Sequence, residues 1–214
     1  SYSNITKYCP YNSKKMSMKN AMIGITEGVC KREREEQSME KRDIEKLIIQ
    51  DEWEMFQQVH GIDGRASCQD QYLTFVIMRG SQFASWPEEA VFSYLTDLED
   101  AKSAERNLVM EKYAHMMAVT DPAYYEQIRS VLPPISEEVK VLADAITQQY
   151  LVWEKEVGIR YPNVRKNGRA TTDISAEGRA SFENYLRCEL MTYSARTLAL
   201  LMKYIQTHPE DNLY

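Results

Sequence analysis

Apolar residues recur along this chain at the three- and four-residue intervals of amphipathic helices rather than in the alternation of half-buried strands. At about 100° per residue, Ile44, Leu47, Ile48, Met55 and Val59 fall on one stripe, and Tyr72, Phe75, Val76 and Phe83 on a second. Val91, Tyr94, Leu95 and Leu98 make a third stripe, and a further helix over about 104–119 places Leu108, His115 and Val119 on one face. Asp121-Pro122 opens a short helix that stops at Leu132-Pro133-Pro134, and Ser136 caps a long one reaching about Val157. The last helix runs from about Ser181 to Gln206, with Phe182, Leu186, Tyr193 and Leu200 aligned. Turn signals at 61–67, 85–87, 120–122, 132–135 and 158–180 separate these pieces. The pattern predicts an all-α fold, a single-domain helical bundle of about six or seven helices. It spans 43–207, with an N-terminal helical extension at 1–42 and a tail at 208–214.

Charges interrupt three of the stripes. Asp51 and Glu52 lie on the first, Arg79 in the middle of the second, and Glu189 near the centre of the last. A charge on a core-facing stripe is costly unless it is paired or reaches water. The expectation is that Arg79 meets Glu52 or Glu189 at a polar centre facing a cavity. Two readings of that centre stand side by side, a structural ion pair that fixes packing and a site that binds or transforms a ligand.

Between the first two helices lies His60-Gly61-Ile62-Asp63-Gly64-Arg65-Ala66-Ser67-Cys68-Gln69-Asp70. Gly61 suits a helix C-terminus and Ser67 an N-cap, which would put Cys68 in a first helical turn beside Arg65. Free amides and the helix dipole favour a thiolate there, making Cys68 a candidate nucleophile or part of an anion-binding turn. A small packed cysteine is the plainer reading. Gly158–Ala180 is the longest piece without helical periodicity. It carries Arg160, Arg165, Lys166, Arg169 and Arg179 against Asp173 and Glu177, a local net charge of +3 in a chain of −6. Arg165 and Arg169 are the candidates there for contacting an anion; a solvated loop is the alternative.

Composition narrows the classes. Charged residues make up 27% of the 214, and no basic excess suggests nucleic acid as a partner. No apolar run approaches the roughly 20 residues of a membrane span. The four cysteines, Cys9, Cys30, Cys68 and Cys188, form no CxxC pair, and reduced thiols in a cytoplasm are expected. The chain opens on Ser1 without a visible signal peptide, which leaves a removed leader open. Residues 31–43 carry five basic and five acidic side chains, read as a solvated helical link. Met18, Met22, Ile25 and Val29 precede it at helical spacing.

Glu52-Trp53-Glu54-Met55-Phe56, Gly64-Arg65-Ala66-Ser67-Cys68-Gln69, Met78-Arg79-x-Ser81-Gln82-Phe83 and Glu111-Lys112-Tyr113-Ala114 occur in this order. Ser181-Phe182-Glu183-x-Tyr185-Leu186-Arg187-x-Glu189-Leu190-x-Thr192-Tyr193-Ser194 follows them. With these pieces the chain, from about 45 to 205, resembles a bacterial family known only as a domain of unknown function, number four thousand one hundred and twenty-five. The resemblance implies no activity. Where that family has a proline after Gly-Arg in the basic loop, this chain has Ala170.

Metal chemistry has little support, because the chain has three histidines and no Glu-x-x-His pair. No nucleophile elbow or phosphate-cradling glycine loop is present. The first functional reading is a small-molecule or anion-binding pocket of Arg65, Gln69, Arg79, Gln82, Arg165 and Arg169, with Cys68, Glu52 and Glu189 as the groups that catalysis would use. Its cofactors are unknown, and its ligand is a small anion. The second is a helical interaction module, with a protein partner or a second copy of itself and no membrane or nucleic acid.

Overall fold

A computed structural model describes residues 39–60, 64–166, 168–173 and 179–214. The extension read at 1–42 lies almost wholly outside the described residues, as does the Gly61 helix terminus.

Helix α1 (Lys41–Gln57) buries Ile44, Ile48 and Met55 of its expected stripe together with Ile49, Glu52 and Phe56. Leu47, also expected there, is exposed because the buried face is turned toward Ile49 and Phe56. Gly64, at φ +92°, sits in a conformation that L residues rarely adopt, and it starts the approach to α2 (Tyr72–Ser85). The corner Trp86-Pro87 turns the chain into α3 (Glu88–Ser103), where Glu88 and Glu89 complement the helix dipole. Asn107 caps α4 (Leu108–Thr120), its Oδ1 accepting the Met110 N–H at 2.9 Å, while its amide donates to the Met55 carbonyl of α1, also at 2.9 Å. Asp121 caps α5 (Pro122–Ile128). Ser136 caps α6 (Glu137–Arg160) through the Val139 N–H at 3.2 Å. The single turn α7 (Pro162–Arg165) and the helices α8 (Phe182–Leu190) and α9 (Ala195–Thr207) complete the bundle. Among the described residues there is no strand. None of the described helices is long and apolar enough to cross a membrane.

Packing closes six helices into a ring in which α1 touches α3, α3 touches α9, and α9 touches α6; α6 then touches α8, α8 touches α4, and α4 returns to α1. Helix α3 contributes most to the interior, burying Ala90, Val91, Tyr94, Leu95, Leu98 and Ala101. Trp86 lies edge-on to Phe83, Tyr94 and Tyr193 at the centre, while Phe83 stacks on Tyr94 and the Tyr94 and Tyr193 centroids are 4.4 Å apart. Helix α2 lies against α1, and of its residues only Arg79 and Phe83 are buried.

Four boundaries differ from the sequence expectation. The last helix is two, because Met191–Ser194 turn and Ser194 caps α9. Asp97 of α3 holds that turn by accepting the Ser194 N–H at 2.9 Å and the Thr197 hydroxyl at 2.7 Å. The stripe runs through the break because it records which residues are apolar, not whether the backbone is continuous. Ser67 caps no α-helix: Ser67–Asp70 is a 3-10 turn, and α2 begins at Tyr72. Helix α6 continues to Arg160, into the stretch expected to be loop. The final residues pack back on the body, with Leu213 buried, its carbonyl accepting the Ser85 hydroxyl at 3.0 Å and Tyr214 edge-on to Phe182.

Candidate functional site

The three stripe charges of Glu52, Arg79 and Glu189 meet inside the ring. Arg79 forks onto Glu52, its Nε donating to Oε2 at 2.5 Å and its Nη2 to Oε1. Its Nη1 donates to Glu189 Oε1 at 2.8 Å and to Gln82 Oε1 at 2.7 Å. Gln82 closes a triangle by donating its own amide to Glu189 at 3.0 Å. Two tyrosines complete the carboxylates from below, Tyr94 donating to Glu52 and Tyr193 to Glu189, each at 2.7 Å. Lys112 of α4 donates to the free Glu189 oxygen at 3.1 Å and to the Tyr185 hydroxyl at 2.8 Å. Two cations and two carboxylates thus form a neutral cluster on four helices, with Arg79 also resting on the Phe83 ring.

This cluster is the floor of a cavity of about 730 Å3. Helices α2, α4, α6 and α8 wall it, with Phe56, Phe75, Val109, Tyr113, Phe182 and Leu186 as much of the apolar surface. Opposite the floor, Glu154 of α6 is buried and paired with Arg165, and it accepts from Thr171 at 3.4 Å. Arg165 also donates to the Arg169 carbonyl at 2.8 Å and passes close over Gly158, where a Cβ would sit 3.3 Å from its Cγ. Arg169 stacks 4.8 Å above the Tyr185 ring, whose centroid lies 4.2 Å from the Lys112 ammonium.

The electrostatics follow from burial and pairing. Burial alone would raise the Glu189 carboxyl, but the Arg79 and Lys112 charges outweigh it and hold the group well below the usual carboxylate range. Burial opposes the charge on Arg79 and on Lys112. The carboxylates beside Arg79, and Tyr185 and Glu189 beside Lys112, reverse that and keep both firmly protonated. Burial pushes the Cys188 thiol up to about 12, and the Tyr94 and Tyr193 hydroxyls rise through burial and their carboxylate neighbours. His115 is lowered by burial against the pull of Glu111, which Arg106 holds at 2.6 and 2.9 Å. No buried side-chain nitrogen or oxygen among the described residues lacks a partner. None of the described His, Cys, Asp and Glu side chains form a group of three or more that could hold a metal ion.

Of the residues singled out from sequence, Glu52, Arg79, Gln82, Glu189, Cys68, Arg165 and Arg169 all line this cavity. Two others do not. Gln69 is buried as a plug behind α1, its amide donating to the Phe56 and Val59 carbonyls at 2.7 and 2.9 Å. Arg65 grips Asp70, Gln57 and the Gln69 carbonyl, shaping the turn rather than the cavity. Cys68 is exposed in the 3-10 turn and so has no α-helical first turn to stabilise a thiolate. Asp51, near the centre of its stripe by sequence, pairs instead with Lys102 on α3. Lys112, Tyr185 and Glu154 escaped the sequence reading. Lys112 was within reach of it, lying four residues after Leu108 and four before Met116, on the face that α4 buries.

No curated protein and no solved structure matches the chain. The model of the family described as protein of unknown function DUF4125 matches residues 42–213, and the chain belongs to that family.

Proposed function

We propose that this protein is a small-molecule-binding helical domain and that the cavity bounded by α2 holds the ligand. The observation that supports this most is the cavity itself: about 730 Å3, mostly apolar, with paired charged groups at its floor and on the side facing it. That combination is the usual form of a ligand site, whose volumes run roughly 300–1,000 Å3. The floor is preorganised, since Arg79 spends its fork on Glu52 and Glu189. The ligand therefore meets a fixed polar surface rather than a loose guanidinium. Lys112 is a committed ammonium, which favours binding over covalent catalysis at this group.

The test uses the uncharged fluorophore N-phenyl-1-naphthylamine. Thr74 is exposed and lines the cavity, so Thr74→Trp fills it at little cost to the core. The wild type should bind the probe at micromolar concentration, with the affinity of Thr74→Trp reduced about tenfold or more. No binding to the wild type, or equal binding to both, rejects the proposal.

A second reading, a helical interaction module, is favoured by α2, which leaves Tyr72, Leu73, Ile77 and Met78 half or more exposed.

A further inference from the structure

We infer that the ligand carries a single anionic group, received by Arg169, Lys112 and the Tyr185 hydroxyl, on an apolar body; this rests on the cavity being a binding site. The cavity is lined by four cationic side chains, Arg79, Lys112, Arg165 and Arg169, and three carboxylates, Glu52, Glu154 and Glu189. The carboxylates are taken: Glu52 and Glu189 by Arg79 and Lys112, Glu154 by Arg165. Among the described residues Arg169 has no carboxylate partner, only a 3.4 Å hydrogen bond to the Ala180 carbonyl and the face of Tyr185. One positive charge is therefore left over, and it selects a monoanion.

Tyr185 fixes where the anion goes. Its ring lies within 5 Å of both Lys112 and Arg169, which brings two cations together despite their repulsion. Its hydroxyl oxygen accepts from Lys112, so the hydroxyl proton is free to donate to a ligand oxygen. A carboxylate or sulfonate beside Tyr185 receives that proton and a guanidinium fork, and it offsets the repulsion between the cations. Its apolar body then lies against Phe56, Phe75 and Leu186.

Two probes with one aromatic body separate this inference from the reading beneath it. 8-Anilinonaphthalene-1-sulfonate is a monoanion, and N-phenyl-1-naphthylamine is its neutral counterpart. Arg169→Gln should weaken sulfonate binding about tenfold and leave the neutral probe within about twofold, and Tyr185→Phe should weaken only the sulfonate. Thr74→Trp should weaken both, which locates the sulfonate in the cavity. An unchanged sulfonate affinity in Arg169→Gln, with the neutral probe still bound, overturns the anion subsite and leaves the cavity reading standing. Sulfonate binding that survives Thr74→Trp overturns the subsite too. Failure of both probes on the wild type overturns both. Displacement of the sulfonate by decanoate or by 2-naphthoate supports the subsite and tells an aliphatic acid from a planar one.

Discussion

Glu52, Arg79, Lys112 and Glu189 are each buried, and each alone would be expensive to take from water. Together they carry no net charge and satisfy one another, so removing one is worse than never having had the set. Arg79→Met strands Glu52 and leaves Glu189 with Lys112 as its one counter-charge, and should cost on the order of 3–5 kcal/mol at pH 7. The sign of its pH dependence follows from Glu189. Its folded pKa is depressed, so its contribution is present above the ordinary 4.5 and is lost as pH falls below that value toward the folded one. In Arg79→Met, Glu189 loses the larger of the two charges that depress it, so it titrates higher than in the wild type. Urea unfolding should show the gap between variant and wild type shrinking from pH 7 to pH 3; a gap that stays constant or widens contradicts this pairing. Glu52, Arg79 and Glu189 were legible in the sequence because a charge on an apolar stripe is an anomaly that demands a partner. The expected pairing of Arg79 with Glu52 or Glu189 is met by both carboxylates, while the partner of Asp51, Lys102 on α3, was not legible. The tyrosine hydroxyls were also hidden, because Tyr94 and Tyr193 are consistent with a stripe whether or not their tips find carboxylates.

Helix α2 differs from its neighbours in how it is held. Helix α3 buries Ala90, Val91, Tyr94, Leu95, Leu98 and Ala101, whereas α2 buries Phe83 and a guanidinium. Its attachment combines Phe83 and the half-buried Phe75 and Val76, packed on α1 and the core, with the polar contacts of Arg79 and Gln82 to Glu189 of α8. Regions with few buried apolar contacts open locally at lower free energy. Native-state hydrogen exchange should find α2 amides exchanging through openings smaller than global unfolding, and α3 amides through global unfolding. Equal protection of the two helices would show that α2 is no weaker than the core. The stripes gave the existence and type of each long helix, because burial of one face leaves a 3.6-residue period. They missed the Met191–Ser194 break, which is set by Asp97 capping from another helix, a long-range bond that periodicity does not carry.

At the scale of the molecule, six helices in a ring close a common interior, and α2, packed on α1, borders with α4, α6 and α8 a cleft of apolar walls over a polar floor. A bundle that only needed to fold would gain by filling such a cleft, since apolar walls left open to water forfeit their burial. That argument makes the cavity, rather than the ion network, the centre of the functional account. A cavity beside the charged centre was expected from the sequence, but its size and apolar walls were not legible, because volume arises from how helices cross and not from any one of them. The most direct measurement is a crystal structure grown with N-phenyl-1-naphthylamine. The account predicts the naphthalene inside the cavity, against Phe56, Phe75 and Leu186, with the contacts of Arg79 to Glu52 and Glu189 intact. An empty cavity, with the probe on the outer face of α2 beside Leu73 and Ile77, would contradict it and point to the interaction module.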